Sequence, residues 1–210
     1  NGELRMSNAR FVIRHSTFDI PPHRPLVMGI LNVTPDSFSD GGDFLDPQVA
    51  IARAMAMISE GADILDVGGE STRPGAEPIP ADEQVRRAIP VIGALRSRNQ
   101  EIALSIDTRS ATVARAAVEA GADIINDVSA LRDDPDMADV VAVSGVAVVL
   151  MHRRGTSADM QDGGGPHYED VIGEITAFLQ ERRDFAVRCG VDRGSIILDP
   201  GLGFGKRVEH

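Results

Sequence analysis

Short apolar runs alternate along most of the chain with longer segments in which apolar residues recur at helical spacing. Each run has the length and the Val, Ile and Leu content of a strand that is buried on both faces. Several of the longer segments start at Asp-Pro or Ser and stop at glycine, as helices do. The pattern predicts strands near residues 26–31, 64–67, 102–106, 124–127, 146–151 and 195–199, with a helix after each strand except the last.

The first residues follow a different pattern. Two short apolar segments, 11–13 and 17–20, flank a polar tripeptide, which predicts a β-hairpin. Prolines then separate this hairpin from the first buried strand. We therefore divide the chain into an N-terminal extension with a hairpin, residues 1–24, and a strand–helix domain, residues 25–210. Within that domain, Pro90 lies inside the second helical pattern and predicts a kink or a break.

Polar residues stand at or just after the carboxyl end of every predicted strand of the domain. They are Asn32, Glu70, Asp107, Asn126, His152 and Asp199. Alternating buried strands and amphipathic helices predict an α/β fold with a parallel sheet, either doubly wound or closed into a barrel. A doubly wound sheet places site residues only at its switch point, whereas a barrel gathers all its strand ends at one mouth. The pattern therefore favours a TIM-type (β/α)8 barrel, of which this chain covers about six strand–helix units.

Composition and charge narrow the class of protein. The 210 residues are 42% hydrophobic, which is enough for a sizeable core, and no apolar run reaches the length of a membrane span. The formal net charge of -11 argues against a nucleic-acid or anionic membrane surface. A single cysteine, Cys189, excludes an intrachain disulfide and fits a reducing compartment. We expect a cytoplasmic protein that binds neither nucleic acid nor membrane.

Three strand-end residues, Asp107, Asn126 and Asp199, predict a binding site for a ligand with several N–H donors. Carboxylates at the mouth of an apolar barrel are costly unless they are paired, and Arg109 is the one basic residue that closely follows these strands. A carboxylate accepts parallel N–H bonds well, and a planar amino-pyrimidine ring supplies them. Taken singly, each residue could instead cap a helix or bond the backbone of its loop.

Two glycine-rich loops follow the second and sixth strands, at residues 68–75 and 201–206. Glycine lets backbone N–H groups approach an anion closely, so either loop could cradle phosphate, although ordinary turns use the same residues. Their basic residues, Arg73 and Lys206, are of a kind that is more often solvated than functional. His152 follows a buried strand, and no second histidine lies near it in the sequence. A structural role for His152 is therefore as well supported as a catalytic one.

Six segments together resemble the dihydropteroate synthases of folate biosynthesis. They occur in the family's order and span nearly the whole chain, at residues 28–42, 63–75, 105–108, 123–128, 149–155 and 198–206. The resemblance implies a pterin-binding barrel and a transferase. Such an enzyme condenses 6-hydroxymethyl-7,8-dihydropterin diphosphate with 4-aminobenzoate, giving 7,8-dihydropteroate and diphosphate. The resemblance also suggests that the protein forms a homodimer.

The pterin-binding residues of that family match positions of this chain one by one. Asp107, Asn126 and Asp199 match the groups that hold the pterin, in agreement with the strand-end pattern. Met151 matches a residue that packs near the pterin ring, and Thr72 matches one that contacts the pterin diphosphate. The resemblance therefore predicts a pterin diphosphate site built from these five residues.

The same resemblance implies a metal and a second substrate pocket. Asn32 matches the residue associated with Mg²⁺ and diphosphate, and Mg²⁺ needs few protein ligands because it keeps several waters. Phe38, Pro74 and Phe204 match the aminobenzoate pocket. No general base is evident, and none is demanded if the leaving diphosphate departs ahead of attack by the arylamine. We expect catalysis by positioning and electrostatics, with no side chain in a covalent or acid–base role.

The chain departs from the family in its length. The family continues through two further strand–helix units after the sixth strand, so we expect these 210 residues alone to be inactive and poorly folded.

Two other functions remain open. One alternative is the pterin-binding methyltransferase domain of corrinoid-linked enzymes, which would not need the loop at residues 34–40. The other is a homologue that binds pterin without catalysing a reaction. Turnover would separate all three.

Overall fold

The computed structural model describes residues 10–13, 16–19, 24–34, 47–70, 78–154 and 167–207. The strands are β1 (Arg10–Ile13), β2 (Ser16–Asp19), β3 (Met28–Asn32), β4 (Ile64–Gly68), β5 (Ala103–Asp107), β6 (Ile124–Asp127), β7 (Ala147–Met151) and β8 (Ile196–Asp199). The helices are α1 (Pro47–Ser59), α2 (Ala81–Arg98), α3 (Ala111–Ala120), α4 (Met137–Ser144) and α5 (Val171–Arg188), with a 3-10 turn at Arg193–Ser195.

Six parallel strands form one sheet in the order in which they occur along the chain, β3 to β8. This order confirms the barrel-type arrangement, because a doubly wound sheet would reverse its strand order at a switch point. The described strands form an arc in which β3 and β8 each have one neighbour. β1 and β2 pair antiparallel, with Arg10 opposite Asp19, which confirms the N-terminal hairpin.

The two faces of the sheet carry different residues because successive side chains of a strand point to opposite sides. On the convex side, Leu31, Leu65, Leu104 and Ile125 pack against the helices in the main core. The concave interior holds a smaller apolar cluster, with Ile64, Ala103, Ile124 and Ala147 near the amino ends of the strands and Val149 in the middle of β7. Polar residues take over from this cluster toward the carboxyl ends, so the fold itself separates a packed floor from a polar mouth.

The helix α2 continues through Pro90 without a break. The prediction was a kink or a break, and the break is wrong. Pro90 lies on the exposed side of the helix, where the carbonyl group that lacks its usual N–H partner can bond water. The opposite side buries Ala88, Val91, Ile92 and Leu95 completely, and this packing outweighs the loss of one hydrogen bond.

A near-repeat in the sequence, residues 60–64 and 120–124, is explained by a clamp at the floor of the sheet. The Asp63 N–H donates to the Val27 carbonyl at 2.8 Å, and the Asp63 carboxylate accepts from the Val27 N–H at 2.8 Å. Asp123 exchanges the same two bonds with Leu104, at 2.7 and 3.0 Å. Each aspartate thus ties the start of its strand to the preceding strand.

Within the described ranges, no helix combines the length and the apolar content that crossing a membrane requires. Cys189 is a free thiol that packs against the main core.

Candidate functional site

Strand register places Asn32, Asp107 and Asn126 at one level of the sheet, together with a glycine. Asn32 is aligned with Gly68, Gly68 with Asp107, and Asp107 with Asn126. Met151 and Asp199 are aligned with each other on the last two strands. Because aligned residues share a face of the sheet, all five of these predicted site residues face the concave interior near its carboxyl end.

Gly68 leaves an opening between Asn32 and Asp107. A β-carbon at this position would lie 3.2 Å from Asn32 Oδ1 and 3.8 Å from the Asp107 β-carbon. Glycine therefore keeps the amide oxygen of Asn32 accessible, and this oxygen is the atom that could contact a cation. Among the described residues, no group of three His, Cys, Asp or Glu side chains is placed to hold a metal ion.

Asp107 is a buried acid without a full set of partners. Its Oδ1 atom is inaccessible to solvent and has no hydrogen-bond partner among the described residues. Burial is the main reason that the pKa of Asp107 is raised well above the usual range, and the charges of Asp66, Glu70 and Asp127 raise it further. Arg109 opposes this shift only weakly. An acceptor held in this way favours a ligand that brings N–H donors.

Asn126 is bonded to a residue that sequence reasoning missed. Its Nδ2 atom donates to Asp66 Oδ2 at 2.9 Å. Asp66 is 3% exposed, and burial raises its pKa, while the nearby Ser105 hydroxyl and the Asn126 amide act in the opposite direction. A charged residue in the middle of a buried strand was the available signal, because such a residue is costly unless it has a function or a partner.

Arg109 pairs with Glu70 and Asp133 and not with the mouth carboxylates. Its guanidinium donates to Glu70 at 3.1 Å and to Asp133 at 3.0 Å. Arg153 donates to Asp133 as well, at 2.6 Å. Burial opposes the ionisation of Asp133, but Arg153 and Arg109 outweigh it and lower the pKa of that carboxyl group. The two arginines and the two carboxylates therefore form a network of ion pairs beside the site, and Glu70 is part of this network.

Asp199 is only partly available to a ligand. One carboxylate oxygen accepts the Gly201 N–H at 2.7 Å, and the backbone carbonyl accepts the His152 N–H at 2.9 Å. The alternative in which a strand-end acid bonds its own loop thus holds for one of its two oxygens.

Lys206 folds back into the loop after β8. Its Nζ atom lies 3.0 Å from His152 Nδ1 and donates to the carbonyl groups of Gly201, Phe204 and His152 at 2.9, 3.2 and 3.3 Å. Burial lowers the pKa of Lys206 to about 8. The expectation that this lysine is solvated is wrong, because the carbonyl-rich turn offers acceptors that replace water. Its ammonium group holds the loop, and the charge of Asp199 partly offsets the effect of burial on its pKa.

The imidazole ring of His152 is neutral and accepts a hydrogen bond from the Lys206 ammonium group. It is buried, and its ring meets Phe178 edge-on at 4.9 Å. Burial and then the charge of Lys206 lower the pKa of His152 to about 4. The Nδ1 atom acts as an acceptor, so the proton lies on Nε2. These contacts favour the structural role over the catalytic one.

We expect the buried His152 to make the fold sensitive to acid. An unfolded histidine has a pKa of about 6.5, so between that pH and about 4 the unfolded chain binds more protons and stability falls on acidification. The variant His152→Asn, whose Oδ1 can replace Nδ1 as acceptor, should lose less stability than the wild type over this interval. Urea titrations at several pH values measure the difference. His167→Asn, at an exposed position, is the control, and parallel curves for wild type and His152→Asn would contradict the expectation.

Of the remaining predicted residues, the structure describes Phe204, which is half-buried in the loop that Lys206 holds. Phe38, Thr72 and Pro74 lie outside the described residues, as does Arg73.

Comparison with known proteins gives consistent matches. The sequence profile of the family described as "Pterin binding enzyme" matches residues 28–210. The chain is 52% identical over 184 residues to the dihydropteroate synthase of Mycobacterium leprae, covering 88% of this chain and 64% of that protein. It thus spans less than two thirds of the length of this relative.

Two solved structures have the same fold. The Xanthomonas albilineans dihydropteroate synthase with 4-aminobenzoic acid superposes with a TM-score of 0.84 at 47% identity, over 96% of this chain and 69% of that one. The same enzyme in complex with 7,8-dihydropteroate gives a TM-score of 0.79 at 43% identity, over 94% of this chain and 68% of that one. The architecture described above, six parallel strands alternating with helices, is therefore that of a TIM-type barrel.

Proposed function

Because this chain belongs to the family of pterin-binding enzymes, we propose that it acts as a dihydropteroate synthase. In this reaction the pterin methylene of 6-hydroxymethyl-7,8-dihydropterin diphosphate is transferred to the amine of 4-aminobenzoate, and diphosphate leaves. The observation that carries the proposal is the set of Asn32, Asp107 and Asn126 at one level of the barrel interior, with Asp199 two strands away on β8 and one level closer to the mouth.

The hydrogen-bond acceptors of these strand-end residues match the donors of a pterin. An amino-pyrimidine edge presents several N–H donors in one plane, and Asp107 and Asn126 offer oxygens at adjacent positions. Met151 is buried at the next level, where its side chain can pack against the face of a flat ring. Holding the ring by this edge fixes the position of its methylene group, so that the arylamine attacks a group already in place.

The second substrate and the metal are assigned on the same basis. We propose that Phe204, together with Phe38 and Pro74, contacts aminobenzoate, and that Thr72 contacts the pterin diphosphate. Asn32 fits Mg²⁺ because its Oδ1 atom is left accessible by Gly68 and because this ion takes most of its ligands from water and phosphate. When bound, the ion would stabilise charge on the leaving diphosphate.

No proton-transfer residue is required by this scheme, because the proton that the amine loses when the C–N bond forms can pass to water or to the departing diphosphate. The electron-rich dihydropterin supports positive charge at its methylene, so the diphosphate can depart before the weakly basic amine attacks. What the protein supplies is orientation and a fixed field of polar groups. A cytoplasmic location and a homodimer stay predictions of the same proposal.

The proposal is tested by turnover. The protein is incubated with the pterin diphosphate, 4-aminobenzoate and Mg²⁺, and chromatography measures dihydropteroate and diphosphate. Product that appears with both substrates, disappears with chelator and returns with Mg²⁺ supports the synthase. Pterin binding without product would instead indicate the non-catalytic homologue, and methyl transfer from a methylated folate would indicate the corrinoid-linked class.

A further inference from the structure

Asp66 is a buried carboxylate that the proposed reaction does not use directly. It lies on β4 between Ile30 and Ser105, two residues before Gly68 and therefore one level below the strand-end polar residues. Its Oδ1 atom is buried, and the buried Ser105 hydroxyl lies at the aligned position of β5. Its Oδ2 atom accepts from Asn126 across the intervening strand β5.

We propose that Asp66 is a positioning residue that fixes the orientation of the Asn126 amide and thereby makes the site select ligands with a donor edge. This inference rests on the proposed function, since it assigns a role in pterin selection. Asp66 itself is one level too low in the interior to belong to the ring of Asn32, Asp107 and Asn126.

The argument depends on the difference between the two ends of an amide. The oxygen and nitrogen of Asn126 have nearly the same shape, so packing alone does not decide which of them faces the mouth. In the structure it is Nδ2 that donates to Asp66, whose Oδ2 atom acts as the acceptor. The Asn126 carbonyl oxygen is then left to face the other way, beside Asp107, and both present acceptors to an N–H edge.

Loss of this bond would allow the amide to rotate. A rotated amide would direct its NH₂ group at the N–H donors of the ligand, which replaces one hydrogen bond by a donor–donor contact. Polar groups left facing the wrong partner are a strong source of discrimination in binding sites. We expect Asp66→Asn to weaken pterin binding by about 10- to 100-fold, because the substituted amide can bond either end of the Asn126 amide.

An exchange of the two residues provides the test. Calorimetry with 6-hydroxymethylpterin as the probe compares the wild type, Asp66→Asn, Asn126→Asp and the double variant. In the double variant the amide at position 66 can donate to the carboxylate at position 126, whose other oxygen again faces the mouth as an acceptor, so most of the affinity should return. A purely structural role for Asp66 predicts no such rescue. Asp123→Asn, a buried carboxylate at the floor of the sheet, controls for loss of stability without effect on pterin affinity.

A measurement without ligand separates this inference from the proposed function. In the wild type the side-chain NH₂ hydrogens of Asn126 should exchange with solvent far more slowly than those of exposed asparagines, as seen by NMR. Fast exchange would overturn the inference even if the Asp66 variants fail to fold. Unchanged pterin affinity in Asp66→Asn, or a double variant no better than the weaker single one, would overturn it too. A wild type that shows slow exchange but binds no pterin would refute the proposed function and leave the role of Asp66 in orienting Asn126 supported.

Discussion

Replacing Asp107 by asparagine should weaken pterin binding by about 2–5 kcal/mol, the range for losing one partner of a buried charge-assisted pair. Asp107 is half-buried at the concave mouth, and no described residue donates to its buried Oδ1 atom, so a ligand N–H would be a natural partner for this carboxylate. Asparagine keeps the shape but offers one acceptor in place of two. Calorimetry measures the loss, with Asp199→Asn as the comparison. A loss below about 1 kcal/mol would assign Asp107 to a capping role.

The same substitution should stabilise the fold at neutral pH. Burial raises the pKa of Asp107 far above that of an unfolded aspartate, so the stability present at low pH is lost as pH rises through the raised value. A neutral asparagine does not carry this penalty. Thermal melts of both proteins from acid to neutral pH should diverge as pH rises, with the variant melting higher. Because His152 changes stability in the opposite direction, the comparison uses the difference between the two proteins and not the wild-type curve alone.

Replacing Gly201 by alanine should destabilise the protein by about 3 kcal/mol or more, since backbone strain and a steric clash add at this position. The residue has φ +66°, and a β-carbon would overlap the His152 carbonyl oxygen and lie 3.0 Å from Met151 Cγ. Relief of the clash would require the loop to move away from β7. Such a movement would displace Asp199 and Met151 together, so pterin binding should fall as well.

Gly203 is the matched control for Gly201. Its φ is +87°, but no atom of the described residues lies within 4 Å of where a β-carbon would stand. Gly203→Ala should therefore show only the cost of a left-handed backbone, about 1–2 kcal/mol. Urea unfolding of both variants isolates the steric part as their difference. Equal losses would mean that the close approach of the loop to His152 does not restrict the fold.

The strands and the side of the barrel that carries the site were accessible to sequence reasoning. Each buried strand is a compact apolar run, and the polar residue that ends it marks the mouth, as for Asn32 and Asp107. The level at which these residues meet was not accessible, because strand register depends on pairing between strands. Register alone shows that Asn32, Asp107 and Asn126 share one level around a glycine.

The errors have a common physical origin in tertiary contacts. A kink or a break was expected at Pro90 on local grounds, but its exposed position and the buried opposite face allow the helix to continue without a break. Lys206 was expected in water, whereas three carbonyl groups and His152 surround its ammonium group. Asp66 was passed over as part of an apolar strand, although its bond to Asn126 spans 60 positions of the chain.

The strand order has a consequence for how the chain acquires its structure. Every pairing among the described strands of the sheet joins strands that are consecutive in sequence, with one crossover connection between them. Each of these strands can therefore be added to an edge that already exists as the chain leaves the ribosome. The aspartate clamps at Asp63 and Asp123 tie the new strand to its predecessor at its first residues, where that addition would begin. This topology favours a folding route in which the sheet forms from its amino-terminal strand and each later strand is added to its edge.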